Sequence, residues 1–114
     1  MDQCIFCRII ERRVPARIVF EDDEIVAFED TNPQAPIHIL IVPRKHLISL
    51  KDAIPDDAPI LGRLLMVAAQ LARERGLEPK GYRTVINTGL WAGQSVFHLH
   101  LHLLGGRVFH WPPG

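Results

Sequence analysis

One small domain that mixes five short strands with two helices is the fold the sequence predicts, and three observations predict it. The chain has 114 residues of ordinary globular composition, 47% apolar and 23% charged, a size at which one hydrophobic core forms without cross-links. Apolar residues alternate or run together in five segments bounded by Pro, Gly, Asn or Asp, the pattern of strands. Between the third and fourth of these runs a long amphipathic stripe, and a shorter helical pattern opens the chain.

Taken in order, Cys4 to Glu11 carries Ile5, Phe6, Ile9 and Ile10 at helical spacing and ends before Pro15, which predicts a short helix. Arg17 to Phe20 and Glu24 to Phe28 are β-rich runs joined by Glu21, Asp22 and Asp23. They read as a hairpin, although the acidic linker lacks an Asn-Gly turn. Asn32-Pro33-Gln34-Ala35-Pro36 then punctuates the chain before a strand from Ile37 to Val42, interrupted by His38 and stopped by Pro43. The main helix spans Asp56 to Arg75, with Ile60, Leu61, Leu64, Leu65, Ala68, Leu71 and Ala72 on one stripe. Asp56 or Asp57 serves as its cap, Pro59 suits its first turn and Gly76 its stop. Tyr82 to Asn87 alternates as a strand, Gly89 to Gly93 turns, and Val96 to Leu104 reads as a long strand closed by Gly105 and Gly106. The last residues, Trp111-Pro112-Pro113-Gly114, suit neither a helix nor a central strand and are expected to lie across a surface.

Charge excludes several function classes. Thirteen Lys and Arg balance thirteen Asp and Glu, so the broad positive field that non-specific nucleic-acid or anionic-membrane binding needs is missing. No apolar run approaches the roughly 18 residues of a spanning helix, and Arg8, Arg12 and Arg13 follow the first apolar stretch, the reverse of a signal peptide. A cytoplasmic location is the expectation. The two cysteines, Cys4 and Cys7, would close only a tiny loop and stabilise little, so they read as ligands more than as a framework.

The chemistry concentrates near the C-terminus. Three histidines stand at strict two-residue spacing in Phe97-His98-Leu99-His100-Leu101-His102-Leu103. On a strand this puts His98, His100 and His102 on one face and the leucines on the other. Imidazoles about 7 Å apart serve a common phosphate-sized ligand, whereas one tetrahedral metal would not easily take all three. A solvated strand face explains one or two histidines but not three in register, and imidazole is the side chain best suited to act as nucleophile, base and acid near neutrality. Just upstream, Asn87-Thr88-Gly89 and Gly93-Gln94-Ser95 offer turns whose backbone N–H groups can approach an anion, although hairpin connections use glycine regardless of function.

His98-Leu-His100-Leu-His102-Leu-Leu resembles the histidine triad motif, His-φ-His-φ-His-φ-φ, of the histidine triad (HIT) superfamily of nucleotide hydrolases and transferases. Ile5-Phe6 with Ile9, Phe28-Glu29-Asp30, Pro33 to His38, Gly93-Gln94-Ser95-Val96 and Leu104-Gly105-Gly106-Arg107 through Trp111-Pro112-Pro113-Gly114 extend the resemblance over nearly the whole chain. The ending favours the histidine triad nucleotide-binding protein (Hint) branch over the dinucleoside polyphosphate hydrolases. The resemblance implies an α+β fold of the HIT type. A five-stranded antiparallel sheet, one main helix and a short N-terminal helix would form a single domain over residues 1–114. Subunits would pair about a two-fold axis into a homodimer, with the 105–114 tail reaching the partner. It further implies hydrolysis of adenosine 5′-phosphoramidates, and of aminoacyl-adenylates, to AMP, with purine nucleoside monophosphates or phosphoramidates as ligands and no cofactor for catalysis.

Carried over by position, the resemblance makes His100 the nucleophile that forms a nucleotidyl-histidine, with its other ring nitrogen fixed by the carbonyl of His98. His102 binds phosphate oxygens, and Ser95 sits at the leaving group. Asn87, Gly93 and Gln94 surround the phosphate, Val96 is a further nucleotide-binding residue, and Asp30 with Thr31 meets the ribose. Asp before Asn-Pro is also an ordinary turn residue. His38 orients the triad or the leaving group, or is a satisfied core histidine. Ile5, Phe6, Ile9 and Phe28 are candidates for a purine slot and equally for core. A binding protein that senses AMP or GMP, with vestigial hydrolysis, is the alternative function. Its weakness is that a pure binding module has no chemical reason to keep Ser95, His98, His100 and His102 together.

Cys4-Ile-Phe-Cys7 departs from the animal members of the branch, while bacterial members often carry such a pair and can bind zinc with it. The set would be completed by His46 and His98 as a structural Cys₂His₂ site. A lone C-x-x-C is also a redox pair or two buried thiols.

Overall fold

Side-chain alternation along the central strands decides which layer each residue enters. The computed structural model describes residues 3–114. In chain order the elements are α1 (Ile5–Ile10), β1 (Ile18–Glu21), β2 (Ile25–Glu29), β3 (Ile37–Pro43), α2 (Ala58–Glu74), β4 (Arg83–Val85) and β5 (Leu101–Gly105). The strands form one sheet in the order β1-β2-β3-β5-β4, with every neighbouring pair antiparallel. β5 is thus inserted between β3 and β4, and α2 carries the chain across it.

Ile25 and Ala27 of β2, Ile39 and Ile41 of β3, and Leu101 and Leu103 of β5 point to one face, where they pack on Leu64, Val67, Ala68, Leu71 and Ala72 of α2. Each fully buried Leu, Ile or Val contributes about 1.5–3 kcal/mol of transfer free energy. On the other face Val26, Phe28, Leu40 and Val42 pack on Phe6 and Ile9 of α1. Burial on both faces explains why β3 reads as a continuous apolar run. With only 6 residues, α1 covers β1, β2 and the later part of β3 on its face, and the part over the start of β3 and over β5 is left for His38, His100 and His102.

Two acidic residues settle local structure that turn statistics did not. Asp22 Oδ1 accepts the N–H groups of Glu24 (2.9 Å) and Ile25 (2.8 Å), so a carboxylate closes the β1–β2 turn in place of Asn-Gly. Asp57 occupies the position before α2, as expected of a cap, but its Oδ2 accepts Ile54 N–H at 3.0 Å and its Oδ1 accepts Lys45 Nζ at 2.7 Å, not the helix's own N–H groups. At the other end Gly76 takes φ +72, and Leu77 N–H closes on Ala72 O at 2.9 Å, the left-handed stop that glycine permits.

The expected long strand from Val96 to Leu104 is shorter: paired structure begins at Leu101. Residues 98–100 run beside the sheet without joining it, because Leu99 N–H bonds Leu47 O at 2.6 Å. Likewise β4 is confined to Arg83–Val85, where pairing with Leu104, Leu103 and His102 ends. Beyond Gly105 the chain forms no further element, with Val108 and Trp111 exposed. No described helix is long and apolar enough to cross a membrane.

Candidate active site

His102 stands in a cross-strand row with Leu40 and Val85, and His38 lies opposite Leu104 one row along. This register brings the His38 and His102 rings together across the β3–β5 pair, at 5.2 Å between centroids. The ring of His100, two residues before His102, lies 4.9 Å from it and meets the edge of Phe6 at 5.1 Å. His98 turns away toward α1 and the loop after β3, so the three triad rings do not share one ligand.

Backbone partners fix the tautomer of each ring. His100 Nδ1 lies 2.7 Å from His98 O. A carbonyl only accepts, so Nδ1 carries the proton and Nε2 keeps its lone pair. His38 Nδ1 accepts Gln34 N–H at 3.0 Å, which puts the proton of the neutral ring on Nε2, 2.9 Å from His102 Nδ1. His102 therefore accepts through Nδ1 and presents Nε2–H. Asp30 Oδ2 stands 3.4 Å from His38 Nε2, while its Oδ1 accepts Asn32 N–H at 2.8 Å. The turn role and a place beside the histidines are thus both realised in Asp30.

Electrostatics keep these rings neutral. Burial holds His100 below the usual imidazole range, against the opposing pull of its bond to His98 O and the charge of Asp30. Burial, then the neighbouring His100 and His38, lowers His102 to about 4. His38 is also lowered by burial, with Asp30 opposing. A buried, neutral, tautomerically fixed imidazole with one free lone pair is a nucleophile at neutral pH.

A second cluster lies at the end of α1. Cys4 Sγ is 3.4 Å and Cys7 Sγ 3.6 Å from His98 Nδ1. His46 Nδ1 is 3.3 Å from Cys7 Sγ and 3.2 Å from His98 Nδ1. All four ligand atoms lie within 4.8 Å of one another. A tetrahedral zinc with usual bond lengths sets ligand–ligand edges of about 3.3–3.8 Å, so the set fits such an ion. His98 Nε2 donates to Pro43 O at 2.7 Å, which leaves Nδ1 as the lone-pair atom aimed at the thiols, as in a metal-binding histidine whose other nitrogen is held by a backbone carbonyl. Burial, then the Cys4 thiol, pushes the Cys7 thiol up to about 11; a bound cation would draw that proton off.

The other predicted residues divide. Phe6, Ile9 and Phe28 are buried against one another as core, whereas Ile5 and Val96 line an open hollow of about 680 Å³ with Gln3, Cys4, His46, Ser95 and Phe97. A larger hollow of about 790 Å³, lined by Tyr82, Arg83, Arg107 and Phe109 among others, contains no triad residue. Gln94 is buried, and its amide is fully engaged: Oε1 accepts Gly89 N–H at 2.9 Å, and Nε2 donates to Ile48 O at 2.8 Å and Val96 O at 3.2 Å. Its side chain braces the 89–94 turn, in which Gly89 and Gly93 have positive φ. Thr31, Gly93 and Ser95 are exposed and Asn87 half-buried.

A family model described as scavenger mRNA decapping enzyme C-terminal binding matches residues 3–108. A HIT-like protein of Synechocystis is 52% identical over 99% of this chain and 98% of its own length, and protein HitA of Neisseria gonorrhoeae is 47% identical over 95% of this chain and 100% of its own. The chain belongs to the histidine triad (HIT) superfamily. A solved HIT family hydrolase from Legionella pneumophila superposes with TM-score 0.96 at 49% identity, covering 98% of this HIT chain and 100% of that one. A histidine triad nucleotide-binding protein from Candida albicans gives TM-score 0.82 at 34% identity over 96% and 83% of the two chains. The α+β HIT fold, with a five-stranded antiparallel sheet and one main helix, is therefore this protein's fold.

Three groups that build the HIT site carry no mark in the sequence. They are Gln34 N–H, Pro43 O and Leu47 O, which orient His38, His98 and the 98–100 segment. Backbone atoms have no identity to read, although Pro36 just before β3 and Pro43 at its last position do mark where the chain turns.

Proposed function

We propose that this chain is a nucleotide phosphoramidase that hydrolyses adenosine 5′-phosphoramidates, and aminoacyl-adenylates, to AMP through a nucleotidyl-histidine. The observation that carries the reading is the bond from His100 Nδ1–H to His98 O, which leaves Nε2 as the free nucleophilic nitrogen. Nε2 attacks the α-phosphorus and the bond to the leaving group breaks: the P–N bond of a phosphoramidate, whose nitrogen takes a proton from solvent and leaves as the amine, or the P–O bond of an aminoacyl-adenylate, which leaves as the carboxylate. Water then attacks the phosphorus, the P–Nε2 bond breaks, and AMP departs with His100 neutral again. His102 Nε2–H donates to a phosphoryl oxygen, and the His38 bond keeps the proton on that nitrogen. Ser95, exposed at the rim of the hollow, suits the leaving group; Asp30 and Thr31 suit the ribose.

The subunit is read as one half of a cytoplasmic homodimer. Its exposed Val108 and Trp111 favour cover by a partner, because a small monomer rarely leaves such side chains in water. Zinc at Cys4, Cys7, His46 and His98 is structural in this reading, with no step assigned to it. Steady-state hydrolysis of an adenosine 5′-phosphoramidate by wild type and His100→Ala, with AMP titrated to both, tests the function. Turnover lost with AMP binding kept supports the hydrolase. A wild type that binds AMP without turnover would leave a nucleotide-sensing interaction protein instead.

A further inference from the structure

The thiols of Cys4 and Cys7 are connected to the nucleophile by a short path. Both are free, and they stand at the first cap and third position of α1, where Cys4 Sγ accepts Cys7 N–H at 3.3 Å. Their sulfurs belong to a set of ligand atoms within 4.8 Å of one another, so they can meet by small side-chain rotations. Cys4 is half-buried and lines the open hollow of about 680 Å³ beside His46 and Ser95, which gives a small solute a route to its sulfur while Cys7 lies buried behind it. Both sulfurs face His98 Nδ1, and the carbonyl of that same residue holds His100 Nδ1–H. Phe6, between the two cysteines in sequence, meets the rings of His98 and His100 edge-on at 6.0 and 5.1 Å.

We infer that Cys4 and Cys7 form an oxidation site, converted by hydrogen peroxide to a Cys4–Cys7 disulfide that slows turnover at His100. The Cys4 thiolate attacks one peroxide oxygen and the O–O bond breaks, giving a sulfenic acid and hydroxide, which takes a proton to become water. Cys7 then attacks the Cys4 sulfur, the S–O bond breaks, and a second water leaves. Two thiols are oxidised by two electrons as one peroxide is reduced to two waters. The step would take both sulfur ligands from the four-residue set, so a zinc ion held there would be released. His98 Nδ1 then loses its two sulfur neighbours and keeps only His46, so the residue whose carbonyl positions His100 is held less firmly to α1. The effect on turnover rests on the hydrolase reading above.

Protein loaded with zinc and treated with stoichiometric hydrogen peroxide tests the inference. Peptide mapping is expected to find the Cys4–Cys7 disulfide, a zinc indicator to report the ion released, and the imidazole ¹⁵N resonances of His98 and His100 to shift. Phosphoramidate turnover falls about tenfold, the scale of losing an outer-shell partner, and a dithiol with added zinc restores it. The Cys4→Ser, Cys7→Ser double variant loses the peroxide response. Oxidation confined to the exposed Met66, or a disulfide that leaves ring resonances and turnover unchanged, overturns the inference. Protein that hydrolyses nothing before peroxide contradicts the hydrolase reading alone, and the ring resonances then decide the oxidation site.

Discussion

His38 shows how one backbone contact reaches the chemistry. Gln34 N–H sets the His38 tautomer, and His38 sets that of His102. His38→Ala removes the partner of His102 Nδ1, and kcat is expected to fall about 10–100-fold with KM little changed, the pattern of a lost positioning group; a fall in KM alone would contradict it. Acid acts on the same pair. Both folded-state pKa values lie below that of an unfolded histidine, His102 at about 4, so between about pH 6.5 and 4 the unfolded chain binds more protons. Stability is thus fully present above about pH 6.5 and is lost as the pH falls toward 4. Urea midpoints across that range check it, and the slope is expected to be shallower in His102→Gln. The triad was legible because period-two spacing is visible in a string of letters, and so was the pairing of Nδ1 with the His98 carbonyl, through resemblance. The division of labour, with His98 facing the thiols and not the other two triad rings, is decided by Pro43 O, which no residue type announces.

At the scale of elements, α2 and the central strands were readable from periodicity, because burial imposes 3.6 on a helix and 2 on a strand. Their ends were not. β5 starts at Leu101 because Leu99 N–H bonds Leu47 O, a contact 52 residues away in sequence that local propensity does not contain. Phe6, Ile9 and Phe28 were open to two readings, purine slot and core. All three are buried in the core between α1 and the sheet, since a short helix can cover the sheet only by inserting its large side chains. Phe6→Ala is expected to cost about 3–5 kcal/mol and to lower turnover as well, through the lost edge contact to His100; chemical denaturation and kinetics measure the two. Close packing at β5 gives a second prediction. A Cβ at Gly105 would lie 2.5 Å from Leu77 Cδ1, in the loop that ends α2, so Gly105→Ala is expected to destabilise by about 1–3 kcal/mol. Unchanged stability would mean that Leu77 swings aside freely.

For the molecule as a whole, the two helices divide the work of covering the sheet. α2 seals the central strands on one face, whereas α1 seals part of the other and leaves the histidines at its edge. The Cys₂His₂ cluster ties that edge together, joining α1, the loop after β3 and the approach to β5. Removing a bound metal with a chelator is therefore expected to lower the Tm by several degrees with activity retained in part, since each 1 kcal/mol shifts a domain of this size by about 4–8 °C. No metal in the purified protein and no change in Tm would refute a structural zinc. Composition and balanced charge had already excluded a broad nucleic-acid field, but neither speaks to assembly. The exposed Val108 and Trp111 predict that truncation after Arg107 changes dimer stability or substrate preference, with unchanged values for both contradicting the dimer reading.

The central claim is that His100 carries the nucleotide between the two halves of the reaction. Wild-type protein mixed with an adenosine 5′-phosphoramidate, quenched in base during turnover and mapped by mass spectrometry, is expected to show an adenylyl group on the peptide that contains His100 and on no other. Steady turnover with that peptide unlabelled at every quench time would contradict it.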